Sequence, residues 1–191
     1  MPQGTSRVVS CSGGGTVIFT NFDDVHLTKE NDNSNILIGG SYRSSNQDLN
    51  FFNCHSGTSY EVLTIENEYN SFLSCGEDGS VRFYDLRLIS KCHKQNCREN
   101  IMILSPQSIT TMSCSPLSHN YLSLGCPDLV RVYDRRFLKL VQFPSTSSNE
   151  VASPNLPTLS SMSAEMQTKP VKIFKFPNDQ KNKNYRITSV N

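Results

Sequence analysis

The sequence has no excess of either charge. Lys and Arg number 18 and Asp and Glu 17 in 191 residues, a formal net charge of +1. A surface so balanced has no field to gather nucleic acid or anionic lipid. It also lacks a long hydrophobic run, since no stretch approaches the roughly 20 apolar residues of a membrane-spanning helix. The opening residues, Met1 to Ser6, lack the charged and apolar regions of a signal peptide, so the expectation is an intracellular protein without a membrane partner. A dense cysteine framework is absent too: seven Cys is an odd number, and Cys11, Cys75 and Cys126 fall in strand-like runs. They read as thiols that fill strands as small apolar groups in a reducing compartment. Cys92-His93 followed by Cys97 has a gap within zinc-ligand spacings, but no second Cys/His pair follows at a finger-like distance. The expectation there is an exposed loop with no metal. At 36% hydrophobic residues the chain is long enough for one domain with its own core.

What is present is a repeat. Ser74 to Asp85 contains an alternating apolar strand, a Glu77-Asp78-Gly79 turn and a second alternating strand, a hairpin by pattern and by turn chemistry. Leu124 to Asp134 repeats it with a turn one residue shorter, and Val8 to Phe19 is a third, weaker copy. Asp85 and Asp134 lie 49 positions apart, close to the roughly 40 to 45 residues of a propeller blade plus a loop insertion. Further short strands flank the copies: Tyr60 to Ile65 and Ile101 to Leu104 around the central one, Ile109 to Ser113 and Val171 to Phe176 around the next. Arg186 to Val190 reads as the start of another unit.

These strands predict an all-β fold, an incomplete β-propeller of two full and two partial blades, divided at about 6–54, 55–105, 106–178 and 184–191. The first unit enters at its second strand and the last has only its first, so the ring is expected to be closed by residues outside this sequence. Expressed alone, such a piece should aggregate or stay loosely folded, because its sheet edges are unprotected. Lys29 to Gln47, rich in Asn, Ser and Gly, and Ser145 to Thr168, rich in Ser, Pro and Met, read as disordered insertions between third and fourth strands.

The central unit resembles the WD40 family. His55, Ser74, Asp78 and Tyr84 stand where that family places a buried hydrogen-bond tetrad, with Tyr84 where Trp is usual. A buried Asp must be paired, and His55 is its natural donor. His and Asp also suit a hydrolase triad, but Ser74 lies inside a strand and not on an exposed elbow, so these four residues read as structural. The outer units depart from the pattern. Gly14 stands where the turn Asp belongs in the first; Leu124 replaces the strand Ser in the third, and no His precedes Ile109.

After the third strand of two consecutive units come Tyr84-Asp85-Leu86-Arg87 and Tyr133-Asp134-Arg135-Arg136. This paired aromatic-Asp-any-Arg motif resembles that of the cullin-4-associated substrate receptors within the WD40 family. The likeness extends with gaps over Cys54 to Glu61, Phe72 to Gly79, Leu122 to Gly125 and Val130 to Arg136. It implies that Tyr84, Asp85, Arg87, Tyr133, Asp134 and Arg136 bind the damaged-DNA-binding adaptor protein of the ligase. The Arg forks would sit on one rim, suited to carbonyls and carboxylates of a partner. The bland alternative is an Asp–Arg pair within each blade.

Three functions follow as expectations. The first is a non-enzymatic substrate receptor of a cullin-4 ubiquitin ligase, nuclear and cytoplasmic, that needs no cofactor and holds the adaptor and a protein substrate. The second is a WD40 scaffold or transcriptional coactivator alongside nuclear hormone receptors, without a ligase. The third, nucleic-acid binding, rests on Lys169, Lys172, Lys175, Lys181, Lys183 and Arg186. Strand alternation puts several of these on a solvated face, with no aromatic stacking series between them, so that reading is set aside. Ser105-Pro106, Ser115-Pro116 and Ser153-Pro154 are candidate phosphorylation sites, and only Ser153 falls in a segment expected to be accessible.

Overall fold

Alternation of apolar and polar side chains, broken by Gly and Asp turns, makes strands and hairpins here and almost nothing else. The computed structural model describes residues 7–21, 49–88, 92, 97–143 and 169–176. Among the described residues eleven strands run in chain order: β1 Arg7–Cys11, β2 Val17–Asn21, β3 Leu49–Phe52, β4 Ser59–Thr64, β5 Ser71–Gly76, β6 Ser80–Asp85, β7 Ile101–Leu104, β8 Thr111–Cys114, β9 Tyr121–Gly125, β10 Leu129–Asp134 and β11 Lys172–Lys175. They form three antiparallel sheets, β1-β2-β3, β4-β5-β6-β7 and β8-β9-β10-β11. A short 3-10 turn, Arg135–Phe137, follows β10. No helix of the described residues is long and apolar enough to cross a membrane.

The two four-stranded sheets are copies in register. In the second sheet Ser74 faces Arg82 and Cys75 faces Val81; in the third, Leu124 faces Arg131 and Gly125 faces Val130. The shorter second hairpin follows from these pairs. The three-stranded sheet aligns with the same scheme through its turns. Gly79, at φ +69°, turns the β5–β6 hairpin under the Ser105 and Gln107 carbonyls, and Gly15, at φ +78°, turns the β1–β2 hairpin under those of His55 and Gly57. Both positions combine a left-handed backbone with a neighbouring strand entry too close for a Cβ, which is why glycine occupies them. So β1, β2 and β3 match β5, β6 and β7, and the first sheet enters at a second strand.

The core lies between consecutive sheets. Val17, Phe19 and Phe52 of the first pack against Phe72 and Tyr84 of the second, with the Tyr84 ring 4.7 Å from Phe72 and 4.8 Å from Phe52, centre to centre. Leu73, Val81 and Ile103 of the second pack against Ile109, Met112 and Leu122 of the third. Each such side chain contributes about 1.5 to 3 kcal/mol when removed from water. Strand β11 is the exception: Lys172 to Lys175 are all exposed, and that includes the apolar Ile173 and Phe174. The insertions 29–47 and 145–168, the start of a fourth unit, Ser153, Lys181, Lys183 and Arg186 fall wholly or largely outside the described residues.

Candidate functional site: a buried polar network and a rim with two Arg–Asp pairs

The hairpin of β5 and β6 brings four distant side chains together. His55 Nδ1 lies 3.0 Å from Asp78 Oδ1 and its Nε2 lies 2.6 Å from Ser74 Oγ. The hydroxyls of Ser74 and Tyr84 are hydrogen-bonded at 3.2 Å. Asp78 also accepts from the Ser80 hydroxyl at 2.7 Å and from Arg82 Nη2 at 3.2 Å. Burial alone would raise the Asp78 carboxyl, but His55, Arg82 and Ser80 together hold it well below the carboxylate range. Burial pushes the His55 imidazole below its ordinary 6.5, which favours the neutral ring. One tautomer then serves, with Nδ1–H donated to Asp78 and Nε2 accepting from Ser74. Although Ser74, His55 and Asp78 are ordered as in a hydrolase relay, Ser74 is fully buried and His55 nearly so. No reacting group can reach that hydroxyl, and the network holds the sheet together.

Arg82 joins this network unannounced. Its side chain is among the largest fully buried ones, and its Nη1 donates to Asn100 Oδ1 at 2.8 Å and to the Cys97 carbonyl. The sequence carried a signal for it: Val-Arg-x-Tyr-Asp occurs in both β6 and β10, placing Arg131 at the same register. In the third sheet, which lacks the tetrad, Arg131 donates to Ser105 Oγ at 2.5 Å. Ser105 there takes the place of His55 under the hairpin turn. It is buried, in keeping with an inaccessible Ser105-Pro106.

The two Asp-x-Arg motifs have the same geometry. Arg87 donates from Nε to Asp85 Oδ1 at 2.9 Å and from Nη2 to Oδ2 at 2.6 Å. Arg136 does so to Asp134 at 3.0 and 2.6 Å. Each carboxylate also accepts its Arg backbone N–H, at 3.0 and 3.1 Å. The pair within each blade, posed as the bland alternative, is therefore formed. The carboxylates are held low by the hydrogen bonds from Arg87 and Arg136. Two of five guanidinium N–H groups are used, and the side chains stay 70% and 59% exposed.

Tyr84 and Tyr133, expected among the adaptor-binding residues, are buried at 3% each. Their rings are spent on the inter-sheet core, and Asp85 and Asp134 are also buried. Of the six expected contact residues, Arg87 and Arg136 are the two whose side chains face solvent. Both lie on one rim. Leu86 N–H donates to Asn70 O at 2.8 Å, placing the β4–β5 turn beside the first motif. Arg135 reaches Glu68 of that turn at 2.8 Å, and His119 of the β8–β9 turn reaches Glu66 at 3.0 Å. Phe137, 74% exposed, extends the rim with its ring 5.8 Å from the Arg136 guanidinium.

The Cys92–Cys97 segment differs from the expected exposed loop. Cys97 is only 3% exposed, and its thiol meets those of Cys92 and Cys54, the three sulfurs lying within 4.8 Å of one another. Sequence spacing missed Cys54 because it arrives from the end of the neighbouring sheet. His93 lies outside the described residues.

No family model matches the chain. Two curated proteins are similar to it: the DDB1- and CUL4-associated factor 6 of Mus musculus and that of Homo sapiens, each 37% identical over 133 residues. The match takes in 69% of this chain and 13% of each relative, so the chain spans a small part of their length. Among solved structures, a chain in the crystal structure of the mitotic checkpoint complex is similar at a TM-score of 0.42 and 15% identity, covering 71% of this chain and 35% of that one. The sequence likeness to the two associated factors, set beside four-stranded sheets repeated in register, shows that this chain resembles the WD40 cullin-4-associated receptor family.

Proposed function

We propose that the chain is a non-enzymatic part of a cullin-4 ligase substrate receptor, nuclear and cytoplasmic, which binds the damaged-DNA-binding adaptor through Arg87 and Arg136 and leaves other faces for a protein substrate. The observation that carries this reading is the duplication of one Arg–Asp geometry on adjacent sheets along one rim. A buried carboxylate fixes each guanidinium while its outer edge stays in solvent, and a preorganised Arg loses little entropy on meeting a carbonyl or carboxylate. Asp85 and Asp134 act as positioning residues, and Tyr84 and Tyr133 support them from the core.

Co-purification with the adaptor from cells tests the reading. The full-length protein that carries this chain should bring the adaptor down, and its Arg87→Ala plus Arg136→Ala double variant of equal abundance should not. Equal recovery from both would remove the proposal. Adaptor-independent loss of transcription on depletion, with stable target levels, would instead favour a coactivator working with nuclear hormone receptors.

A further inference from the structure

Three cysteines from separate stretches of chain converge at the junction of the first two sheets. Cys54 follows β3 and is fully buried, and Cys97 precedes β7 and is nearly so. Cys92, half-buried, is fastened to β3 by the backbone: its N–H donates to Phe51 O at 2.9 Å, and its carbonyl accepts from Asn53 N–H at 2.7 Å. The Cys92 thiol is thus placed by backbone pairing with β3. All three sulfurs lie within 4.8 Å. A disulfide needs about 2.05 Å, whereas the edge of a zinc thiolate tetrahedron, from bonds of about 2.3 Å, is about 3.8 Å. Closing the site needs sulfur shifts on the order of 1 Å, which side-chain rotation can supply.

The surroundings suit a thiolate cluster. Arg82, fully buried and paired with Asp78, donates to the Cys97 carbonyl, which fixes the backbone that carries one of the three sulfurs. The spacing of Cys92 and Cys97 falls within the range of zinc ligand pairs.

From this convergence we infer that Cys54, Cys92 and Cys97 form a three-thiolate site for one soft divalent metal ion, zinc, which staples the β6–β7 connection to the end of β3. Three thiols release three protons as they bind the ion. The fourth tetrahedral position is left for a ligand from outside the trio. The staple has a use, because the first sheet lacks the turn Asp that anchors the second, having Gly14 in its place.

The test uses the whole chain purified under reducing conditions with zinc supplied. Elemental analysis should find one zinc per chain. Cys54→Ser plus Cys97→Ser should abolish it, and Cys11→Ser, a cysteine outside the trio, should leave it intact. Because the buried pair could unfold the chain, Cys92→Ser provides a second reading. After cobalt substitution its thiolate-to-metal charge-transfer band should fall by roughly a third, as three sulfur ligands become two, with the circular dichroism unchanged. Folded chain that carries no zinc after purification with zinc supplied, a disulfide within the trio, or a cobalt band unaltered by Cys92→Ser would each overturn the assignment.

Discussion

Arg135 donates from Nη2 to Glu68 Oε1 at 2.8 Å, joining the residue before Arg136 to the turn beside Asp85. Arg135 also donates to the His119 carbonyl at 2.7 Å, so this one guanidinium spans the rims of the two sheets that carry the Asp-x-Arg motifs. The pair is partly exposed, at 17% and 41% for the two side chains, and its worth is accordingly small. In a double-mutant cycle of Arg135→Ala and Glu68→Ala, urea denaturation should give a coupling of about 0.5 kcal/mol that fades as salt is raised. A coupling of zero at low salt would mean that the rims are aligned by the core alone.

Asp78 is the residue on which the second sheet most depends. It accepts from His55, Ser80 and Arg82 at once, and it and Arg82 have side chains only 1% and 0% exposed. Truncation to Ala strands a buried guanidinium, so Asp78→Ala should cost about 3 to 5 kcal/mol, a large share of the roughly 5 to 15 kcal/mol by which an ordinary domain is stable. Asp78→Ala combined with Arg82→Met should cost less than the two single changes added together, because removing both charges leaves neither unpaired. Strict additivity in chemical denaturation would show that the two residues act separately.

The same network predicts how stability responds to acid. The folded state holds the His55 imidazole below its ordinary 6.5, so the unfolded chain takes up that proton first. Its contribution is complete above 6.5 and is lost as the pH falls below that value, with a slope of at most about 1.4 kcal/mol per pH unit for one proton. Asp78, also held low, adds a second loss as the pH falls through its ordinary 3.8. Urea midpoints measured from about pH 7.5 down to 5 should decline, and His55→Gln should flatten the decline while lowering the plateau. A midpoint that rises on acidification would reverse the assignment of a neutral buried imidazole.

The strands were legible because alternation and turn chemistry are local. Ile101 to Leu104 is a strand with the bounds its apolar run suggests, and the His55, Ser74, Asp78 and Tyr84 side chains, recognised by their repeat positions, do meet. What could not be read was the burial of groups whose environment comes from another sheet. Tyr133 stands in an adaptor-binding motif in the sequence, yet its ring is buried in the core between the second and third sheets. Arg82 looks like an ordinary strand cation until the β6–β7 connection brings Asn100 against it. Cys54 stands 38 positions before Cys92, a separation that β3 alone erases by pairing with the later segment. In each case a contact between residues distant in sequence decided the outcome.

The rim arginines make their own demand on side-chain shape. Arg87 and Arg136 each give their Asp two parallel bonds, from Nε and Nη2, and a lysine ammonium cannot reproduce that fork. If the adaptor reads an oriented guanidinium, Arg87→Lys plus Arg136→Lys should bind it at least ~10-fold more weakly, nearly as poorly as the alanine pair. Thermal stability should scarcely move, since the two side chains are largely exposed. Asp85→Ala and Asp134→Ala should fall between, because the arginines keep their charge and lose their aim. Lysine variants that bind as well as the wild type, at the same salt concentration, would mean that the rim supplies only positive charge, and the paired geometry would have no part in recognition.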